Sequence, residues 1–591
     1  MSFIPRLSLG AVNSYALASV QYNKSSFLFS RWKKRSKNVF QLTSSAGKHG
    51  APSNSTASGE ACRDDISPAE VRNSPARQSV TFVRFQDMLN ARREQARRSL
   101  VVQVHSDVSC SELRHYCEGI SPVNQMFHYK LKENHYVLVE FKENCLPEIL
   151  EKWCIAPDKS SVPVASPVVW FKAAASGKKH RQFAEPENED VQKVTKVPPP
   201  PPYEDILSLT AQSRDVSDMM MTLYDSTKLD ELGARLRFFS ARQLELAMSG
   251  LFPHCAVLPF GSSVNGFGKA GSDLDLIFRH EYSEFSDSVK VRPSQKHLRL
   301  VYQTKTSLGG PRPLTQRQME LLGDLLQVLM PGCSGVKRIL QARVPIVKYS
   351  NDFTGLDCDL SMSNMTGLYM SELLFLYSQL DPQSKLLICF VKHWAAAALL
   401  TNPTPGRWVT NFMLIMLSIH YLQTLKRIPP LDLMVKAASD DDQRVTEDIN
   451  CTFVRDLNSF DWKPASSSAS PAKLLRGFFD YYMNFDFGTS CISITTDARL
   501  SKPDYSPLYI VNPLERSLNV AKNVSGEELE KLRMAMRNAA WALESEEMPV
   551  NALLTRLGQT RDALSSVLHP PIYRRYNPPR MVTVKELFRE S

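Results

Sequence analysis

The sequence predicts an α+β chain built from several folded parts, and three observations carry that expectation. Between Leu100 and Phe171 short apolar runs alternate between strand and helix spacing. Two strand-like runs between Cys255 and Phe278 enclose a Gly-rich connection. Beyond Ser371 the apolar spacing is almost wholly helical. A chain of 591 residues, 43% hydrophobic and 22% charged, has room for about three or four domains of ordinary globular composition.

The first 59 residues contain no Asp or Glu but eight Lys or Arg and thirteen serines. Basic, Ser-rich and acid-poor is the composition of an organelle transit peptide, so residues 1–60 are read as a transit or disordered segment. Residues 61–95 are polar, with a short helix possible near Phe85–Arg98. A small unit over residues 96–176 then reads as strand Leu100–His105, helix Cys110–Glu118, strands Met126–Lys132 and Tyr136–Phe141, helix Leu146–Trp153 and strand Val164–Phe171. This β-α-β-β-α-β order resembles the RNA-recognition-motif fold. The third strand, however, places Leu138 where such RNA readers stack a base, and the first strand has no aromatic. A dimerisation or interaction module is therefore expected over an RNA reader. Residues 177–203 read as a linker, with acidic Glu185–Asp190 followed by the semi-rigid run Pro198–Pro202.

Helical spacing runs from Glu204 towards Gly250 and leads into a strand that ends at Gly261-Ser262. Gly266, Gly268 and Gly271 spell the dinucleotide fingerprint, but a strand follows them where that motif needs a helix, so dinucleotide binding is set aside. The strand that follows carries Asp273 and Asp275. After it come an excursion over Glu281–Pro311, a helix at Thr315–Leu329 and a strand at Val344–Lys348. Helices are read at Leu386–Ala397, Asn411–Leu425 and Lys473–Met483, and a basic, Pro-rich tail closes the chain at 569–591. The eleven cysteines form no C-x-x-C pair, which argues for reduced thiols and against a zinc ribbon. The apolar stretches are too short to span a bilayer, and the net charge of +10 suits a polyanionic partner.

Side chains alternate faces along a strand, so Asp273 and Asp275 point the same way while Leu274 and Leu276 point into a core. Adjacent carboxylates repel unless a cation lies between them, and hard ions such as Mg2+ are held by carboxylates together with substrate phosphates. Gly261 lets backbone approach a ligand, and Ser262 offers a hydroxyl and an amide to phosphate oxygens. That combination points to nucleotidyl transfer, which needs a third carboxylate to complete a two-ion site. Asp357 and Asp359 both qualify: they share a strand face and alternate with Leu356, Cys358 and Leu360.

Five motifs in order settle the reading: FGSS…SDLDL at Phe260–Leu276, CDLSMSN at Cys358–Asn364, FVKHW at Phe390–Trp394, GRWVTNFMLIMLSIHYLQ at Gly406–Gln423 and VNPLERSLNVAKNVS at Val511–Ser525. They resemble the nucleotidyltransferase family of poly(A) polymerases and terminal uridylyltransferases over roughly Glu204 to Leu568. The resemblance implies a DNA polymerase β-like palm over 204–363 and a helical PAP-associated domain over 364–568. It further implies two divalent ions, Mg2+ or Mn2+, on Asp273, Asp275 and Asp359, with Asp357 a bystander. Nucleotide contacts carry over to Gly261, Ser262, Asn364, Ser371, Lys392, Asn411, Phe412 and Glu515, Phe412 falling where an aromatic stacks on the base. Ala396 replaces a second phosphate-binding lysine of the family.

Where uridylyl-transferring members carry a His, this chain has Leu518, and Asn512 replaces an acid. Loss of a polar partner for uracil favours ATP as substrate. With the acid-free N-terminus and the small α/β unit, the chain resembles the mitochondrial poly(A) polymerases. That resemblance implies adenylate addition to RNA 3′ ends in the mitochondrial matrix by a homodimer joined through residues 96–176, with no membrane insertion. A terminal uridylyltransferase of mixed specificity and an inactive RNA-binding scaffold are the competing expectations.

Overall fold

The computed structural model describes residues 81–155, 166–171, 194–280 and 309–544, apart from 253, 363, 403, 405, 447 and 466–468. The expected transit segment, the tail at 569–591 and most of the linker lie outside the described residues. Helix α1 (Phe85–Arg97) precedes a sheet made of β1 (Ser99–Val104), β2 (Val123–Leu131), β3 (Asn134–Phe141), β4 (Val168–Trp170) and β5 (Val194–Lys196), with α2 (Ser109–Glu118) and α3 (Leu146–Lys152) between strands. The strand order is β4-β1-β3-β2-β5. The element order matches the sequence expectation, but β4 runs parallel to β1, whereas an all-antiparallel sheet of this path would reverse it. A fifth strand, β5, is drawn from the end of the linker to pair with β2.

Period-two alternation divides this sheet cleanly. Leu100, Val102, Val104, Val137 and Val139 pack on one face with Cys110, Leu113, Leu146 and Ile149 of α2 and α3. Val101, Phe127, Tyr129, Tyr136 and Leu138 turn to the other face and pack on Leu232, Leu236 and Phe239. Those three belong to α6 (Glu231–Met248), which α4 (Tyr203–Thr210) and α5 (Val216–Thr227) precede. The sheet face that an RNA-recognition motif keeps open is thus filled by a helix of the same chain. Glu140, 1% exposed, anchors the seam, with Oε1 2.9 Å from Arg98 and Oε2 2.6 Å from the buried guanidinium of Arg235.

A second sheet, ordered β6-β7-β10-β9-β8, consists of β6 (Ala256–Phe260), β7 (Leu274–Arg279), β8 (Cys333–Ile339), β9 (Ile346–Asn351) and β10 (Leu356–Met362). Only β7 and β10 are parallel. Its back is covered by α6 and α7 (Pro311–Leu329), where Ala241, Leu244, Met319, Leu322 and Leu326 meet Leu274, Leu276, Cys358 and Leu360. Against Leu258 and Ile277 lie Phe85 and Leu89 of α1 and Leu368 of α8 (Met365–Leu380). So α1 is an integral layer of this body.

The third body is helical: α9 (Pro382–Ala397), α10 (Asn411–Thr424), α11 (Leu431–Lys436), α12 (Pro471–Met483) and α13 (Gly526–Glu544). Asp381 ends α8 and caps α9 by accepting from the Gln383 amide, while Pro382 fills the first helical position. Ile206, Met219, Met220 and Leu223 of α4 and α5 bury themselves in this helical core beside Leu387, Val391 and Phe479. These helices, expected with the palm because they precede its first strand, therefore belong by packing to the helical body. Strand β8 and helix α13 went unread in the sequence, β8 because its basic, half-exposed run lacks apolar alternation.

Removing one partner from a buried ion pair costs about 3–5 kcal/mol because the other charge is stranded. Glu140→Ala takes the buried acid from Arg98 and Arg235, but Arg235 keeps Glu231 at 2.7 Å and Gln125 at 2.8 Å, so the unfolding free energy is expected to fall by the lower part of that range, about 3 kcal/mol. Denaturant melts monitored by tryptophan fluorescence check this; an extrapolated unfolding free energy within about 0.5 kcal/mol of wild type would show that the seam is held by its apolar contacts alone.

Candidate active site

The two parallel strands bring the acids together. In the β7/β10 pairing Asp275 stands directly opposite Asp359, and in the β9/β10 pairing Asp359 stands opposite Lys348. Asp273 lies one residue before β7, at its mouth. Burial, reinforced by the charges of Asp359 and Asp273, pushes the Asp275 carboxyl up to about 7, against the opposing pull of Lys348 and Arg237. Asp357 shares the face of Asp359 but is exposed and accepts a 2.6 Å hydrogen bond from Ser350. Register therefore puts Asp359, and not Asp357, beside Asp275.

Lys348 donates to both oxygens of Asp359, at 2.6 and 2.8 Å. Among the described residues no group of three His, Cys, Asp or Glu side chains is gathered closely enough to chelate an ion as the structure stands. The donor set nonetheless fits a divalent cation: hard oxygens only, crowded enough that one of them holds a proton near neutrality.

The Gly-Ser turn closes over this pair. Gly261 has φ +64°, and a Cβ there would stand 2.5 Å from Asp275 Oδ2, so only glycine permits the approach. Its amide donates to Ser371 Oγ at 2.8 Å, and Ser371 in turn donates to the Gly367 carbonyl at 2.7 Å. Asn364 caps α8, its Oδ1 accepting from Thr366 Oγ1 at 3.0 Å and from the Gly367 amide. Ser262 Oγ lies 3.3 Å from Ser272 Oγ. The structure thus draws Gly261, Ser262, Asn364, Ser371 and the three acids into one cluster.

Lys392 is half-buried and donates to the Phe267 carbonyl at 2.8 Å; desolvation pushes its ammonium down to about 8. It shares a crevice with Lys228, Lys269, Lys385 and His393. The remaining expected contacts lie in the helical body. Asn411 is the exposed first residue of α10, and Phe412 is half-buried against the helical core. Glu515 is ion-paired with Arg343 at 3.0 Å, a bridge from the β8–β9 connection to the helical body. None of these three side chains is hydrogen-bonded to the acid cluster among the described residues. Lys348, Arg237 and Lys269 were not foreseen as site residues. Lys348 could have been, since it alternates with Val347 and Tyr349 on a strand facing the acids.

Comparison with known proteins agrees with this geometry. Residues 216–379 match the family model described as poly(A) RNA polymerase, mitochondrial-like, central palm domain, and residues 472–519 match the Cid1 family poly A polymerase model. The mitochondrial poly(A) RNA polymerase of Drosophila melanogaster is 40% identical over 86% of this chain and 84% of its own length. The Homo sapiens protein of the same name is 34% identical over 78% of each. Among solved structures, mtPAP in complex with ATPγS superposes with a TM-score of 0.72 at 32% identity, covering 80% of this chain and 99% of that one. The UTP complex gives 0.72 at 31% identity with the same coverage.

An acid whose folded pKa is raised binds more protons folded than unfolded, so stability is lost as pH rises from its unfolded value of about 3.9 towards the folded one. In EDTA, the melting temperature is expected to fall between pH 5 and about 8 through Asp275, whose folded value is about 7. Asp275→Asn should flatten that slope, and Mg2+ should flatten it in the wild type. Gly261→Ala should lower the melting temperature and abolish the Mg2+-induced stabilisation in the same assay; a retained Mg2+ shift would mean that the turn does not set the position of Asp275.

Proposed function

The chain belongs to the family of mitochondrial poly(A) RNA polymerases, and on that premise we propose that it adds adenylate from ATP to RNA 3′ ends without a template. The observation that carries the reading is the Asp275–Asp359 register beneath a glycine turn that nothing larger can replace. Asp273, Asp275 and Asp359 would hold two divalent ions, Mg2+ or Mn2+, which supply charge neutralisation at the triphosphate and activate the attacking hydroxyl. Everything else is the work of the chain. Ser262 and the Gly261 turn cradle phosphate oxygens, Asn364 and Ser371 keep that turn in place beside the ribose, and Lys392 supplies positive charge to the triphosphate. Asn411 reaches the same phosphates from the start of α10, Phe412 stacks on the base, and Glu515 with Arg343 holds the base-facing loop against the palm.

Within that loop Asn519 is structural: its side chain accepts from the Ile510 and Ala521 amides and donates to the Leu508 carbonyl. Leu518, next to it, presents an apolar side chain where a uracil-selecting site needs a polar one, which supports ATP over UTP. The similar mtPAP has been solved with UTP, GTP and CTP as well as ATPγS, so occupancy alone does not define the substrate. The names of the relatives and the basic, acid-free N-terminus support a mitochondrial location, and the matrix within it. Homodimerisation is supported by large apolar side chains left exposed on the N-terminal unit, Trp153 at 54%, Ile155 at 93% and Trp170 at 70%, the last on the edge strand β4.

An extension assay with each of the four nucleotides tests the activity. Asp273→Ala, Asp275→Ala and Asp359→Ala are each expected to abolish it and Asp357→Ala to leave it. Loss in Asp357→Ala with activity kept in Asp359→Ala would reverse the ligand assignment. Leu518→His adds one hydrogen bond, worth about 0.5–1.5 kcal/mol, so UTP use relative to ATP should rise several-fold without a full switch. An unchanged ratio in a folded variant would place base choice elsewhere. Sedimentation of the full chain should show a dimer that Trp170→Asp dissociates.

A further inference from the structure

Arg237 is one of the largest fully buried side chains of the molecule, 1% exposed, and it forms no ion pair within 4 Å among the described residues. It leaves α6 one turn before Ala241, on the side that packs beneath the β7/β10 sheet. One nitrogen, Nη2, donates twice to Ser272, to its carbonyl at 2.7 Å and its Oγ at 3.0 Å. The other two, Nε and Nη1, have no hydrogen-bond partner among the described residues. Burying a guanidinium with two idle donors is costly to folding, and a purely structural design would avoid it.

The position of its one partner gives a reason for keeping it. Ser272 is the residue immediately before Asp273, at the mouth of β7. Its hydroxyl also receives Ser262 Oγ at 3.3 Å and donates to the Lys269 carbonyl at 3.0 Å. A single side chain thus grips the point where the acid strand, the Gly-Ser turn and the Gly-rich connection meet. The charge is placed to act on the acids as well, since Asp275 and Asp273 both lie within its electrostatic reach.

We propose that Arg237 is a positioning residue for the transfer reaction: from behind the sheet it fixes Ser272, and through it sets Asp273 relative to the Ser262 turn. The proposal rests on the nucleotidyl-transfer reading of this site. Arg237 touches no substrate atom; it acts through Ser272 and by lending a fixed positive charge to the crowded acids. Its presence costs stability and preserves geometry, so loss of function and loss of stability should separate on mutation.

The test uses the full-length protein with wild type assayed alongside. Arg237→Met should fold, with a melting temperature in EDTA no lower than wild type by more than a few degrees. Its turnover should fall by about 10–100-fold, the usual effect of losing a group that orients metal-binding side chains, while the KM for ATP moves less. The Mg2+ concentration that half-saturates the thermal shift, a readout independent of activity, should rise in parallel. Arg237→Lys, which keeps the charge and loses the fork, should recover part of both. Ser272→Ala, which keeps the carbonyl acceptor, should give a weaker form of the same Mg2+ effect. The proposal is overturned if Arg237→Met keeps wild-type turnover. It is equally overturned if its activity falls only in proportion to folded protein while the Mg2+ titration stays unchanged. A wild-type protein inactive with all four nucleotides would sink the functional reading instead, a result distinguishable from either.

Discussion

Three carboxylates held at the mouths of two adjacent strands repel one another, and the rest of this structure is arranged around tolerating that repulsion. Parallel pairing of β7 with β10 forces Asp275 and Asp359 side by side, a placement that an antiparallel pair or a one-residue slip would undo. Lys348 neutralises one acid from the neighbouring strand, Arg237 acts from beneath, and Asp275 answers the remaining crowding by keeping its proton to near neutrality. The absence of a side chain at Gly261 lets the Gly-Ser turn come up against Asp275. A cluster so arranged is short of one or more cations, which is the condition under which a hard metal and a polyphosphate can enter together.

The apolar skeleton serves that cluster. Helix α6 works on both of its faces: Ala241 and Leu244 floor the catalytic sheet, while Leu232, Leu236 and Phe239 fill the N-terminal sheet. The aromatic residues Phe127, Tyr129 and Tyr136 are spent on this internal joint, so the N-terminal unit keeps no open stacking platform of the kind RNA readers use. The exposed aromatics that remain lie instead near its β4 edge.

Much of this was legible in the sequence because strands with period-two alternation announce their faces. Asp275 could be set on the face opposite Leu274 and Leu276 from alternation alone, and the start of α10 follows from local patterning, whereas Asp273, read as part of the strand, lies one residue before β7. Strand geometry left Asp357 and Asp359 equivalent, and only the register with β7 separates them. The allegiance of α4 and α5 was illegible for a similar reason: an amphipathic helix advertises that it has a buried face but not which core receives it. Strand β8 is an edge with charged and half-exposed positions, so it lacks the pattern that identifies strands. Arg237 was hidden because an arginine within a helix carrying Arg235 and Arg242 reads as surface charge until its burial is known.

The proline run Pro198–Pro202 gains a mechanical meaning from its two ends. One is pinned as β5 to the N-terminal sheet, which is itself seated on α6; the other enters α4, whose Ile206 packs into the helical core. Five residues in extended polyproline geometry measure on the order of 15 Å and resist both stretching and folding back. The chain then recrosses to the catalytic sheet through the short link between α5 and α6. The spacing of those two attachment points along the chain is thus set by the stiffness of the prolines and not by a packed core of their own.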